Sequence, residues 1–129
     1  MGVSLTASLL KRSGDSSDPA NVARAVEFLG GAPQLVYIDS SHQYEHTLAE
    51  LRLWWEALPP GGIVVMDDIS QLAAEFDRTH LGGSHRAALE FCQTTAANAV
   101  LLNGNFGRST KQLLTYTDVC GLGLIQKPF

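Results

Sequence analysis

The sequence predicts an α/β fold built on two parallel strands that are joined by a helix. Two short apolar runs, residues 35–38 and 63–66, contain no charged residue, and each is followed by carboxylates. Unbroken apolar runs of this length are typical of strands covered on both faces, as in a parallel sheet. The segment between them carries apolar residues at steps of three and four, which predicts an amphipathic helix. The apolar stripe of that helix consists of Tyr44, Leu48, Leu51, Trp55 and Leu58.

A strand, a helix and a second strand in this order form a right-handed crossover unit, so both strands run in the same direction. Their carboxyl ends then lie side by side at one edge of the sheet. Asp39 follows the first strand, and Asp67 and Asp68 follow the second. Because open α/β sheets bind ligands at this edge, the three aspartates form the first candidate site.

Three neighbouring carboxylates repel one another unless a cation lies between them or their pKa values rise. A hard divalent cation, Mg²⁺ (or Mn²⁺), suits such a cluster and keeps coordination positions open for water or substrate. His42 lies three residues after Asp39. A neutral imidazole there would accept a proton from a substrate hydroxyl held on the metal.

Each of these residues also has a structural interpretation. Asp39, with the serines that follow it, would cap the next helix. Asp67 and Asp68 would form a polar loop after their strand, and His42 would be an ordinary loop histidine. Three carboxylates at two adjacent strand ends favour a functional site more than a single aspartate does.

The elements before this unit are a loop and a helix. Residues 1–13 fit either a strand or the end of a helix. Asp18 is placed to cap a helix with Pro19 at its first position, and Gly30 is placed to end it. The apolar stripe of this helix consists of Val22, Val26 and Leu29.

The elements after the unit begin with a polar loop, residues 71–83. A helix is predicted from residue 85 to about 95, with Ser84 as its cap and with Ala88, Leu89 and Cys92 facing inward. Three further segments have strand character: residues 99–102, 112–117 and 122–126. Gly121 and Gly123 do not form a dinucleotide-binding fingerprint, because no helix follows them.

Composition limits the class of protein. The chain has 129 residues, 45% of them hydrophobic and 17% charged, which predicts one globular domain over residues 1–129. The net charge is −4 with no basic block, so nucleic acid is not an expected partner. No apolar stretch approaches the ~20 residues of a membrane span, and no signal sequence is recognised. Cys92 and Cys120 form neither a metal-ligand pattern nor a disulfide framework, which fits a cytoplasmic location.

Residues 35–70 resemble the second half of a class I S-adenosylmethionine-dependent methyltransferase. The likeness is to metal-dependent O-methyltransferases of the macrolide-sugar and catechol types, and to their cephalosporin-hydroxylase-like relatives. Three segments carry it: Val36-Tyr37-Ile38-Asp39-Ser40-Ser41-His42-Gln43-Tyr44-Glu45, Leu58-Pro59-Pro60-Gly61-Gly62 and Met66-Asp67-Asp68. Residues 121–127 resemble the antiparallel last strand of the same fold. The expected fold is therefore the C-terminal part of a Rossmann-like sheet, with helices on both faces and an antiparallel last strand.

The resemblance implies roles for particular residues. Asp39, Asp67 and Asp68 correspond to the Mg²⁺ ligands, and His42 to the base. Asp15 and Ser16 correspond to contacts with the adenine of S-adenosylmethionine, with Asp39 also on the cofactor side of the site. The acceptor would be a small-molecule hydroxyl, and residues 71–83 would form a lid over it. Asp15 fits the role of a turn residue equally well, and the loop 71–83 fits a merely solvated loop.

The resemblance covers only the later part of the family's domain. The family's first strand, its Gly-x-Gly loop and the acidic residue that holds the ribose have no counterpart here, because the glycines lie elsewhere. We therefore expect negligible methyl transfer by the isolated chain. The alternative is a non-catalytic, truncated module with at most metal binding or an interaction role.

The same comparison leaves the strand at residues 35–38 with an unpaired, apolar edge. Such an edge is a template for another chain, and it contains no lysine or proline that would block pairing. We expect a homodimer, formed through this edge or the helix that starts at Pro19, or by exchange of residues 1–13.

Overall fold

The computed structural model describes residues 13–102 and 120–129. The predicted strand at residues 112–117 and nearly all of residues 1–13 lie outside these ranges. The described elements in chain order are α1 (Pro19–Leu29), β1 (Leu35–Ile38), α2 (Tyr44–Ala57), β2 (Ile63–Asp67), a 3₁₀ turn (Ala73–Phe76), α3 (Gly83–Thr94), β3 (Asn98–Leu102) and β4 (Leu122–Gln126). None of the helices in these ranges is long and apolar enough to cross a membrane.

The four strands form one sheet in the order β1-β2-β4-β3. β1 and β2 are parallel, with Leu35 opposite Ile63 and Ile38 opposite Met66. β4 is antiparallel to both β2 and β3. The crossover unit and the antiparallel last strand are thus confirmed, and the residues that follow Ile38 and Met66 lie at the same end of the sheet.

One face of the sheet is covered by α2 and α3, which pack against each other and enclose the core. Four of the five residues of the predicted α2 stripe are buried, and Tyr44 is half-buried. The rings of Trp55 and Phe91 meet edge to face, with centroids 5.2 Å apart. The buried cluster consists of Ile38, Leu48, Leu51, Trp55, Leu58, Val64, Met66, Ile69, Ala87, Ala88, Phe91 and Ile125.

The other face of the sheet is open within the described residues. Successive side chains of a strand point to opposite faces, so the neighbours of the core residues face outward. Their exposed fractions are 60% for Leu35, 53% for Tyr37, 56% for Val100 and 40% for Leu124. The α/β class is confirmed. In residues 13–102 and 120–129, α1 contacts α2 and α2 contacts α3, and this second face lacks the helices that were expected to cover it.

α1 is bounded as the sequence predicts. The Asp18 side chain accepts a hydrogen bond from the backbone N–H of Ala20 at 2.9 Å, and Pro19 is the first helical residue. Gly30 ends the helix in the left-handed conformation, with φ of 70°, which glycine adopts without steric cost. Of the predicted stripe only Val22 is buried, while Leu29 remains exposed.

α3 differs from its prediction in both its start and its inward face. It begins at Gly83 with Gly82 as N-cap, so the prediction that Ser84 caps it was wrong. Its buried positions are spaced as i, i+3, i+4 and i+7, which is one face of a helix. They are Ser84, Ala87, Ala88 and Phe91, and Gly83 at the start of the helix is also buried. Leu89 is exposed and Cys92 only half-buried, because contact with Trp55 places Phe91 at the centre of that face.

Candidate metal centre

Asp39, His42 and Asp68 meet at the carboxyl ends of β1 and β2. Each offers one ligand atom, and these three atoms lie within 4.8 Å of one another. His42 Nδ1 lies 3.1 Å from Asp68 Oδ2. Asp39 is exposed, whereas His42 and Asp68 are half-buried. The arrangement combines two carboxylates and one imidazole in an accessible site, which is a donor set suited to a divalent cation.

Two members of this cluster have an uncommon backbone conformation. His42 has φ of 61° and Asp68 has φ of 57°, which is the left-handed region. Non-glycine residues held there cost on the order of 1–3 kcal/mol each, although Asp and His tolerate the region better than most. Such conformations concentrate at functional sites, where the surrounding structure holds a side chain in a required direction.

Asp67 is held apart from the cluster. Its Oδ2 accepts a hydrogen bond from the Tyr37 hydroxyl at 2.7 Å, and its Oδ1 accepts the backbone N–H of Asp68 at 2.9 Å. The hydrogen bond to Asp67 raises the pKa of Tyr37 to about 12. The structure therefore brings together Asp39 and Asp68 of the three predicted ligands, with the predicted base His42 as the third member of the cluster.

The cluster carries crowded negative charge. Burial raises the pKa of Asp68 above its ordinary value, and the neighbouring charges of Asp67 and Asp39 act in the same direction. The nearby His42 opposes the rise. A bound cation would relieve this repulsion, because it favours the ionised form of every carboxylate around it.

The loop after β2 is held against the starts of α2 and α3 through Asp77, whose side chain is fully buried. Its Oδ2 accepts the backbone N–H of Gly83 at 2.9 Å and of Tyr44 at 3.3 Å. Its Oδ1 accepts the backbone N–H and the hydroxyl of Thr79 at 2.8 Å and 2.6 Å. Burial opposes ionisation of Asp77, but these hydrogen bonds outweigh it and hold its pKa at about 2. One carboxylate thus fixes the starts of both α2 and α3.

This arrangement bears on the capping interpretation of Asp39. The N-cap residue of α2 is Gln43, which makes no side-chain capping bond, and the N–H of Tyr44 is satisfied by Asp77 instead. Asp39 therefore does not cap α2. Gly83 permits the close packing, since a Cβ there would lie 3.0 Å from the His42 carbonyl oxygen, and its φ is 56°.

A groove of about 370 Å³ runs along β1 and ends at Asp39. Ser16, Ser40 and the buried Glu50 line it beside the strand. Ser40 Oγ donates a hydrogen bond to Glu50 Oε2 at 2.6 Å, and Ser16 Oγ donates to Glu50 Oε1. The indole N–H of Trp54 donates to the Ser16 carbonyl oxygen at 3.1 Å.

Asp15 lies outside this groove, on a second cavity of about 740 Å³ beside α1. Its Oδ1 accepts the backbone N–H and the hydroxyl of Ser17 at 2.9 Å and 2.7 Å, and contacts His46 Nε2 at 3.0 Å. The hydrogen bonds from Ser17 and His46 lower the pKa of Asp15 to about 2. Asp15 thus forms the turn that the sequence allowed, and Ser16 borders both cavities.

Three residues that shape the site are absent from the sequence-based set: Tyr37, Glu50 and Asp77. Glu50 carried a signal in the sequence, because its position borders the apolar stripe of α2, and the structure shows that its side chain is buried. Asp77 had a weaker one, since an aspartate two residues before a threonine often forms a local turn. Tyr37 carried no such signal, because both faces of β1 were expected to be covered.

Comparison with known proteins supports the assignment of the fold. The family model described as "Methyltransferase domain" matches residues 5–69, which is half of the chain. No curated protein sequence matches this chain closely enough to count as a relative.

Several solved structures share the fold at low sequence identity. The O-methyltransferase from Bacillus cereus in complex with SAH is 14% identical, with a TM-score of 0.53, over 84% of this chain and 46% of its own. TomG, an O-methyltransferase of tomaymycin synthesis from Streptomyces achromogenes in complex with SAM, is 15% identical, with a TM-score of 0.54, over 87% and 48%. MycE, a methyltransferase of the mycinamycin pathway in complex with Mg and SAH, is 17% identical, with a TM-score of 0.55, over 91% and 32%.

The chain thus spans about half or less of the length of these structures. Its family-model match lies over α1, β1, α2 and β2, the elements that build the cluster of Asp39, His42 and Asp68. On this evidence the chain belongs to the methyltransferase-domain family.

Proposed function

We propose that this chain is the part of an S-adenosylmethionine-dependent O-methyltransferase that holds a divalent cation and the base for a small-molecule hydroxyl. The observation that carries the proposal is the meeting of Asp39, His42 and Asp68 at two parallel strand ends in a methyltransferase-family fold. The complexes of MycE with Mg and SAH, and of TomG with SAM, support it by analogy of fold.

The residues at the strand ends fit Mg²⁺. Asp39 and Asp68 would hold the ion, and Asp67 is the adjacent third carboxylate. When bound, the ion lowers the pKa of a hydroxyl group and orients it. Asp68 has a second role, because its Oδ2 lies 3.1 Å from His42 Nδ1 and would accept the N–H of that nitrogen, which orients the imidazole.

His42 is the proposed base. With the proton of its Nδ1 directed at Asp68, the imidazole has its lone pair on Nε2. That nitrogen would accept the proton of the acceptor hydroxyl. The ring also contacts Phe76 edge to face, with centroids 5.8 Å apart, and this contact together with the carboxylate restricts its orientation.

The groove along β1 is the proposed contribution of this chain to the cofactor site. It links Ser16 to Asp39, two of the three predicted cofactor contacts. Asp15, the third, acts through the turn that places Ser16, since its carboxylate is bound to Ser17 and His46. The methyl group would be supplied at the Asp39 end of this groove, beside the cation.

The second candidate function is a non-catalytic module that binds at most a metal. The partial coverage of the related structures, 32–48% of their length, favours it, because a complete cofactor site then requires residues beyond those compared. Affinity for SAH discriminates the two candidates: measurable binding supports the enzyme part, and metal binding without SAH binding supports the module.

We also propose a homodimer formed through β1. Among the described residues β1 pairs only with β2, so its other edge has unpaired backbone groups. The exposed Leu35 and Tyr37 side chains lie on the open face of this edge strand. Antiparallel pairing of two β1 edges about a twofold axis would satisfy these backbone groups. Because it would also occupy the groove along β1, the dimer belongs with the second candidate function.

Isothermal titration calorimetry with Mg²⁺ and with SAH tests the proposal. We expect Mg²⁺ binding by the parent chain, a loss of at least tenfold in affinity in Asp39→Asn, and no change in Glu56→Gln, a matched removal of an exposed charge on α2. Absence of Mg²⁺ binding by the parent chain, or equal loss in both variants, would contradict the proposal.

A further inference from the structure

The His46 side chain lies between two carboxylates, those of Asp15 and Glu50. Its Nε2 is 3.0 Å from Asp15 Oδ1, and its Nδ1 is 3.3 Å from Glu50 Oε2. We propose that His46 is a positioning residue which, in its protonated form, joins these two carboxylates and thereby fixes the turn that carries Ser16. The inference rests on the proposed function, because Ser16 lines the groove proposed for the cofactor.

Glu50 is a buried carboxylate that needs a compensating charge. Its residue is 2% exposed, and its hydrogen-bond donors are the hydroxyls of Ser16 and Ser40. Within residues 13–102 and 120–129, no lysine or arginine forms an ion pair with Glu50 or with Asp15. A buried charge is costly unless an opposite charge compensates it. The group that faces Glu50 and is able to carry that charge is the imidazole of His46.

Only the protonated imidazole suits both neighbours at once. In neutral histidine one ring nitrogen carries a proton and the other a lone pair, so one of the two carboxylates would face a lone pair. The buried Nδ1 of His46 makes no hydrogen bond, and its distance from Glu50 is that of an ion pair. The imidazolium donates from Nε2 to Asp15 and places its positive charge against Glu50. The contact with Glu50 is therefore electrostatic and depends on the proton.

Asp15 and Glu50 are the charged groups that face the imidazole among the described residues. Hydrogen bonds, chiefly from Ser17, lower the pKa of Asp15 to about 2, so this carboxylate is ionised throughout the neutral range. On α1, Arg24 borders the cavity beside Asp15 and donates to Asn21. Histidine changes charge between about pH 5 and 8. The bridge should therefore be complete below this range and lost above it.

Loss of the bridge reaches the groove through Ser16. The Ser16 hydroxyl donates to Glu50, and the Ser16 carbonyl oxygen accepts the indole N–H of Trp54 at 3.1 Å. Once His46 is neutral, the carboxylates of Asp15 and Glu50 lack the cation between them and repel each other. Because Ser16 borders both cavities, a turn that moves away from α2 changes their lining. Protonation of His46 thus controls the shape of the groove.

Hydrogen exchange of the Trp54 indole N–H, corrected for the intrinsic effect of pH, tests this role, since that group is bonded to the Ser16 turn. In the parent chain we expect protection to fall about fivefold between about pH 5 and 8. His46→Gln should be weakly protected throughout, because glutamine is uncharged. His46→Lys should stay strongly protected throughout, because lysine keeps its charge. His85→Gln is the matched control, since His85 bonds to the Ile69 carbonyl and not to a carboxylate.

Affinity for SAH, measured by calorimetry, separates this inference from the proposed function. We expect binding about fivefold tighter at about pH 6 than at about pH 8 in the parent chain, and equal at both in His46→Lys. Absence of SAH binding would count against the proposed cofactor groove, and Trp54 protection would still decide the role of His46.

Three results would overturn the role of His46. The first is Trp54 protection that does not vary with pH in the parent chain. The second is a pH dependence that persists in His46→Gln or disappears in His85→Gln. The third is weak protection of His46→Lys at every pH, because a positive charge would then not be what fixes the turn.

Discussion

His42 Nδ1 lies 3.1 Å from Asp68 Oδ2, and both residues have the left-handed backbone conformation. The two distortions together bring an imidazole from the β1–α2 loop onto a carboxylate at the end of β2. Both strained conformations therefore contribute to one contact, between His42 and Asp68, at the centre of the candidate site.

Variants of Asp68 test whether its carboxylate is needed for cation binding and whether its backbone is strained. Asp68→Asn should keep the fold, because asparagine also tolerates positive φ, but should weaken Mg²⁺ binding at least tenfold. Asp68→Ala should lose about 1 kcal/mol more in unfolding free energy than Asp68→Asn, since alanine is strained at this φ. Urea denaturation with chelator present measures the difference. Equal stability of the two variants would show that the backbone of Asp68 is not strained.

Asp77→Asn should lower the unfolding free energy by about 2 kcal/mol at pH 7, because buried N–H groups at the starts of α2 and α3 lose a charged acceptor. Urea denaturation gives the value. Asp18→Asn is the matched control, since asparagine and aspartate are equally good N-caps. A loss no larger than that of Asp18→Asn would remove Asp77 from its proposed structural role.

The same carboxylate predicts a pH dependence. The folded pKa of Asp77 is about 2, below the ordinary 3.8, so folding stabilises its ionised form. Its contribution to stability is complete above about pH 4 and is lost as the pH falls from there through about 2. Unfolding free energies measured between pH 2 and 7 should therefore decline less steeply at the acid end in Asp77→Asn than in the parent chain. Parallel acid profiles would contradict this.

Glu50→Ala should remove the hydrogen bonds that connect the segment around Ser16 to Ser40 at the end of β1. Glu50 is buried and receives the hydroxyls of Ser16 and Ser40, so truncation should cost about 2 kcal/mol of unfolding free energy. The indole N–H of Trp54, which donates to the Ser16 carbonyl, should exchange faster with solvent in NMR spectra. Glu50→Gln should show smaller effects, because serine hydroxyls can rotate to accept from the amide. Unchanged Trp54 exchange in Glu50→Ala would refute the link.

The dimer proposal predicts a change of mass on substitution at the β1 edge. Leu35→Lys places a charge on the exposed edge and should shift the chain from dimer to monomer in sedimentation equilibrium at low micromolar concentration. Val100→Lys is the control, because Val100 lies on the same open face but on β3, at the opposite end of the sheet. A monomeric parent chain, or dissociation by Val100→Lys alone, would contradict the β1 interface.

The sequence alone determined the elements that are encoded locally. The apolar runs gave β1 and the core of β2, the three- and four-residue spacing gave α2, and Asp18 with Pro19 gave the start of α1. The parallel direction of β1 and β2 then placed Asp39 and Asp68 together, because adjacent parallel strands have their carboxyl ends at one edge of the sheet.

Only the tertiary structure decided which side chains complete the site. Tyr37 holds Asp67 on the open face, and Asp77, from a distant loop, holds the start of α2 beside His42. The direction of His42 and Asp68 depends on left-handed backbone that no periodicity reveals. These features arise from hydrogen bonds between residues far apart in sequence, whose partners are set by packing, whereas strands and helices arise from patterns within one segment.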